Sequence, residues 1–162
     1  MELNEIEKLF VEKLSSRSVV GYELRRGKAD ELIFYLPSPC TEVGYVKAVI
    51  RRNEILLSCK ITHTHFDSGY YRDLGFETPE LEMVEEAVTD LVGFLQGENC
   101  ASIEVGYDGR IVSYGWGKIA AVGDANEEYK QLIQQLHGGP STYRAWSWSG
   151  EIDIKREVPD TK

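Results

Sequence analysis

The chain has 162 residues, 42% apolar and 28% charged, with 18 Lys and Arg against 27 Asp and Glu for a formal charge of −9. That length suits a single domain over residues 1–162, able to bury about two-thirds of its unfolded surface. The composition excludes a disordered or collagen-like chain, and no apolar run reaches the roughly 20 residues that a membrane-spanning helix needs.

The chain begins Met1-Glu2-Leu3-Asn4-Glu5, which is acidic and lacks the basic and apolar regions of an export signal. Cys40, Cys59 and Cys100 are odd in number, widely spaced and without a Cys-x-x-Cys pair. Both features point to a reducing, cytoplasmic setting with buried thiols and no disulfide framework. Leu3, Ile6, Phe10 and Leu14 recur at helical spacing behind early glutamates, predicting a first helix over about residues 3–14. Segments 19–26, 31–36, 43–51 and 54–64 are rich in Val, Ile, Leu, Tyr and Phe and are separated by turn residues, so they read as four neighbouring antiparallel strands. Thr78-Pro79 then opens the clearest helix, with Leu81, Val84, Val88, Leu91 and Leu95 on one face and Gly97 as the stop. Asp108-Gly109 between residues 103–107 and 110–116 predicts a hairpin with a two-residue type I′ turn. Asp124 and Glu127 form a capping-box pattern that starts a third helix ending near Leu136, before Gly138-Gly139-Pro140. Residues 143–154 add a last strand, and 159–162 are expected to fray. The order α-β-β-β-β-α-β-β-α-β gives an α+β domain with a mainly antiparallel sheet and three helices.

The charge is unevenly spread. From Asp73 to Gly109 there are ten acids and no Lys or Arg, while the flanking stretches are balanced. A surface of this kind repels phosphates, so neither DNA nor RNA is an expected ligand. It attracts a basic protein and speeds the encounter. The second helix should present Glu82, Glu85, Glu86 and Asp90 away from the sheet as the partner-binding face. Tyr114 with Trp116, and Trp146 with Trp148, each share a strand face. Such rows either pack into the core or anchor an interface, and Trp146 and Trp148 are taken as partner-binding residues. No cofactor is expected, since no Gly-rich turn opens a helix and no nucleophile elbow is present.

The alternative is a metal enzyme. In Ile61-Thr62-His63-Thr64-His65-Phe66-Asp67-Ser68, a strand would place His63, His65 and Asp67 on one side, where two imidazoles and a carboxylate would hold a divalent metal for a hydrolase or oxygenase. The stretch is similar to the Thr-His-x-His-x-Asp-His loop of metallo-β-lactamase-like hydrolases, but Ser68 stands where the last histidine belongs. A third possibility is a homodimer joined through the aromatic rows.

Residues 54–152 resemble the small α+β immunity proteins of bacterial polymorphic and contact-dependent toxin systems. The resemblance rests on His63-Thr64-His65-Phe66-Asp67, the glutamate-rich helix after it, the short hairpin, and Trp146-Ser147-Trp148-Ser149-Gly150. It implies a cytoplasmic, non-enzymatic protein that binds and blocks a cognate toxin domain.

Overall fold

A computed structural model describes residues 1–119, 135 and 141–152. The described chain is α+β, with two antiparallel sheets of five and four strands and three helices. The first helix, α1 (Glu5–Ser16), starts two residues later than the sequence pattern predicts because Asn4 caps it. Asn4 Oδ1 accepts from the Glu7 N–H at 3.0 Å, and Glu7 Oε2 accepts from the Asn4 N–H at 2.9 Å. That reciprocal capping box satisfies two backbone donors that the helix itself leaves unpaired.

Five strands follow as a meander, β1 (Glu23–Arg26), β2 (Leu32–Pro37), β3 (Tyr45–Ile50), β4 (Glu54–Cys59) and β5 (His63–Asp67), paired in that order. Sequence reading merges the last two. They are separate because the chain reverses at Lys60-Ile61-Thr62, where the Cys59 N–H donates to Thr62 O at 2.9 Å without Gly or Pro to mark the turn. Val46, Ala48 and Ile50 of β3 point into the core, as their alternation predicts.

A short helix, α2 (Ser68–Asp73), has no counterpart in the predicted order. It ends in a Schellman motif, with the Phe76 N–H on Tyr71 O at 3.1 Å, the Gly75 N–H on Arg72 O at 2.9 Å, and Gly75 at φ +84°. Helix α3 (Pro79–Gln96) matches its predicted span and stops at left-handed Gly97. Thr78 occupies the cap position but makes no side-chain capping bond. Val84, Val88 and Leu91 are fully buried as expected, whereas Leu81 stays 36% exposed. This helix touches α1, α2, β4, β5 and β6, so it is the central strut between the two sheets.

The second sheet has the order β7-β6-β8-β9 and is built from β6 (Asn99–Val105), β7 (Ile111–Lys118), β8 (Thr142–Ser147) and β9 (Gly150–Ile152). The β6–β7 hairpin turns through three residues where the sequence suggests two. The Gly109 N–H meets Gly106 O at 2.9 Å and the Gly106 N–H meets Arg110 O at 2.8 Å, with only Gly109 at positive φ. A type I′ turn needs positive φ at both central residues, and Asp108 does not supply it, so the loop is a type I turn closed by a left-handed glycine. The predicted final strand is likewise two strands, parted by a turn at Trp148-Ser149. The helix predicted near 124–136 and the tail at 159–162 lie outside the described residues.

Cys40, Cys59 and Cys100 are free and buried, as expected, and burial pushes the Cys100 thiol up to about 11. No helix among the described residues is long and apolar enough to cross a membrane.

Candidate functional site

The acidic stretch does not form one open face, because α3 is covered on two sides. Glu85 pairs with Lys13 of α1. Glu86 accepts from the Tyr71 hydroxyl of α2, and the desolvated Tyr71 phenol is held far above its ordinary range. Glu80 pairs with Arg72 at 3.2 Å. Asp90 is half-buried and accepts from Asn99 Nδ2 at 3.2 Å. Burial pushes its carboxyl above the ordinary value, and Glu86 one turn away adds to this. Asn99 and Lys118 act in the other direction, as does the Trp116 indole, although its N–H is not aligned for a hydrogen bond. Glu104 is buried and accepts from the Ser141 hydroxyl. The expected row of Glu82, Glu85, Glu86 and Asp90 is therefore reduced to Glu82 as the carboxylate without a partner among the described residues, itself half-buried.

The raised Asp90 has a testable consequence. For a carboxyl bound more tightly to its proton in the folded state, ionisation costs stability above the folded pKa, and the cost fades as pH falls through it. Asp90→Asn is expected to stabilise the fold modestly at neutral pH, with the gain shrinking in acid. Thermal melts across pH check this, and a neutral-pH loss would show that the charge is needed there.

The tryptophans do not form a shared row. Trp146 is 4% exposed and belongs to the core, with Arg144 stacked over its ring at 4.9 Å. Trp148 follows the end of β8, half-buried, in a groove of about 280 Å³ that also involves Val19, Val20 and Leu36. Trp116 stacks on Phe94 of α3, with ring centroids 4.6 Å apart.

His63, His65 and Asp67 do share the exposed side of β5, as their alternation requires. Their polar atoms are directed elsewhere. The Asp67 carboxylate caps α2 by accepting from the Gly69 N–H at 2.8 Å, and His65 Nδ1 meets Glu54 Oε1 at 2.7 Å. The His63 ring lies edge-on to His65, with centroids 5.1 Å apart. Among the described residues no group of three or more His, Cys, Asp or Glu is placed to hold a metal ion. The donor set that the metal alternative needs is thus divided between a helix cap and a hydrogen bond to Glu54.

What gathers instead is an apolar corner with an acidic rim. Tyr70 is 60% exposed, Leu74 57%, Phe76 45% and Leu81 36%, all within twelve residues spanning α2 and the first turn of α3. Tyr70 and Leu74 lie one helical turn apart, with the Leu74 N–H bonded to Tyr70 O at 3.1 Å. Phe76 is turned outward beyond Gly75 but keeps one edge on buried Tyr71, with centroids 6.1 Å apart. Asp73, Glu77 and Glu82 stand beside these side chains without partners among the described residues, and Arg72, the local cation, is already committed to Glu80. Sequence reasoning placed the acids here and missed the apolar residues, because a six-residue helix is too short to show a periodic face. The available signal was Tyr70-Tyr71, Leu74 and Phe76 around Gly75, four large apolar residues assigned to no element. Comparison with protein-family models, with curated proteins and with solved structures finds no match to this chain.

Proposed function

We propose that this chain is a non-enzymatic binding protein that engages a basic protein partner through the α2–α3 corner. The observation that carries the reading is four large apolar side chains left exposed in one short stretch with three acids that have no partner among the described residues. A monomer rarely leaves such a patch uncovered without a use for it, and an apolar centre with a charged rim is the usual anatomy of a protein contact. Tyr70 and Phe76 would supply the buried anchors, while Asp73, Glu77 and Glu82 steer the encounter. The likeness to immunity proteins supports a narrower version, in which the partner is a cationic toxin domain in the cytoplasm and binding blocks its action.

Parallel affinity capture tests this with three baits: the wild-type chain, Tyr70→Ala/Phe76→Ala, and Asp73→Lys/Glu77→Lys/Glu82→Lys. A basic protein should be retained by the wild type and lost from the double variant. The charge-reversed bait should associate about tenfold or more slowly at low salt, with the difference vanishing near about 0.5 M salt. All five positions lie on the surface or its margin, so circular dichroism should be unchanged. A partner held equally by all three baits would place the contact elsewhere. Self-capture that responds to the same changes would make the corner a homodimer contact.

A further inference from the structure

We propose that His63 and His65 of β5 form a two-imidazole site for a divalent transition metal ion of the zinc or copper type, with Glu54 as the residue that orients His65. The site is separate from the α2–α3 corner and does not depend on it.

Commitment of Asp67 to the α2 cap removes the three-donor centre of a hydrolase but leaves the two imidazoles. Residues two apart on a strand project from one side, and both histidines are exposed there. Their ring centroids are 5.1 Å apart. Two imidazoles on one tetrahedral ion, with each nitrogen about 2.0–2.1 Å from it, have centroids about 5 Å apart. The rings stand at 78° to one another. Each can turn about its own metal–nitrogen bond, so that angle is compatible with shared coordination.

Hydrogen bonding prepares the donors. His65 Nδ1 meets Glu54 Oε1 at 2.7 Å, and Arg51 Nη1 donates to Glu54 Oε2, also at 2.7 Å. The His65 bond and the guanidinium hold the Glu54 carboxyl below its ordinary value despite burial, so it is ionised and accepts. In neutral His65 the proton therefore sits on Nδ1, and Nε2 keeps its lone pair, with no partner among the described residues. A metal-bound histidine is held in this same way, its second nitrogen donating to a carboxylate. His63 makes no hydrogen bond or ion pair among the described residues, so its ring nitrogens are available. Arg51 is occupied by Glu54, and Lys47, on the same sheet face, stands two strands from His63 across Ser58, about 10 Å away. Imidazole donors select zinc, copper or nickel over magnesium and calcium, which prefer oxygen. Among the described residues no third His, Cys, Asp or Glu completes the set, so the other coordination positions fall to water or to a donor from another molecule.

The test is isothermal titration of the full chain with zinc chloride, with and without excess magnesium, beside electron paramagnetic resonance of the Cu(II)-loaded protein. Zinc should bind at one equivalent with a Kd below about 0.1 mM. His63→Gln and His65→Gln should each weaken binding about tenfold or more, since either leaves one imidazole without its chelating neighbour. Both positions are exposed, so folding is not at stake. Bound copper should show coupling to two imidazole nitrogens in the wild type and to one in either variant. Glu54→Gln should keep both nitrogens and lose about tenfold in affinity, the usual cost of removing a group that orients a metal ligand. His137→Gln, at the third histidine of the chain, should have no effect. Zinc binding unchanged in His63→Gln or in His65→Gln overturns the proposal, as does suppression by magnesium, which would place the ion on carboxylates. No saturable binding up to about 1 mM zinc overturns it too.

Discussion

Phe94→Ala is expected to lower the free energy of unfolding by about 3–5 kcal/mol, measured by urea titration. Phe94 is fully buried near the end of α3, and its ring lies nearly parallel to that of Trp116, at 22°. The stack joins the central helix to β7, an edge strand of the second sheet. Removing the ring opens a cavity under an indole that is itself only partly covered, and the aromatic pairing contributes about 0.5–1.5 kcal/mol beyond the area it buries. The surroundings collapse poorly because neighbouring Leu91 and Ala101 are already close-packed with no exposed surface. Phe94→Leu keeps most of the volume and should cost about half as much. Trp116 emission should shift to the red in Phe94→Ala before global unfolding. A loss below about 1 kcal/mol would show that the second sheet is held by other contacts.

The same helix shows how far the sequence could be read. Its span, its proline start and its glycine stop were all visible, because Pro79 and Gly97 act through local backbone geometry. Its surroundings were not visible. Glu85 and Glu86 look like a solvated face when only their own helix is considered, and Lys13 and Tyr71, the residues that engage them, come from elements far away in sequence or too short to predict. The β4–β5 reversal was missed for a related reason: Lys60-Ile61-Thr62 turns without a turn residue, directed by the pairing of Ser58 with His63. At β5, alternation placed His63, His65 and Asp67 on one side correctly. It carried no information on which neighbour each side chain would bond. The spacing of Trp146 and Trp148 allowed either core packing or an interface, and Trp146 lies in the core, because period-two spacing gives a shared face but not whether that face is covered. Short-range signals thus located elements, while the partners that decide function came from tertiary contact.

Arg26→Met is expected to destabilise the fold at neutral pH, lowering the urea midpoint, with the loss shrinking in acid. Glu7 is 1% exposed on the first turn of α1, and Arg26 at the end of β1 closes over it. Both guanidinium nitrogens donate to the carboxylate, Nη2 at 2.9 Å, while Arg26 also donates to Glu2 O and to Asp30 O, the latter at 3.0 Å. One side chain therefore ties the start of α1 to the β1–β2 hairpin. Burial opposes ionisation of Glu7, but the Arg26 hydrogen bonds and the Asn4 and Leu32 backbone outweigh it, holding the carboxyl below its ordinary 4.5. A lowered folded pKa means that the stability contributed by Glu7 is fully present above the unfolded value and is lost as pH falls through the folded one. The variant and the wild type should therefore differ most above pH 4.5 and converge below it, once Glu7 is protonated in both. Removing the stranded charge as well, in Glu7→Leu/Arg26→Met, should recover part of the loss, since an apolar pair of similar volume substitutes for buried ions at little cost. If Arg26→Met is equally destabilising at every pH, the guanidinium acts only through its bonds to the Glu2 and Asp30 carbonyls, and the carboxylate has no share in holding α1 to the sheet.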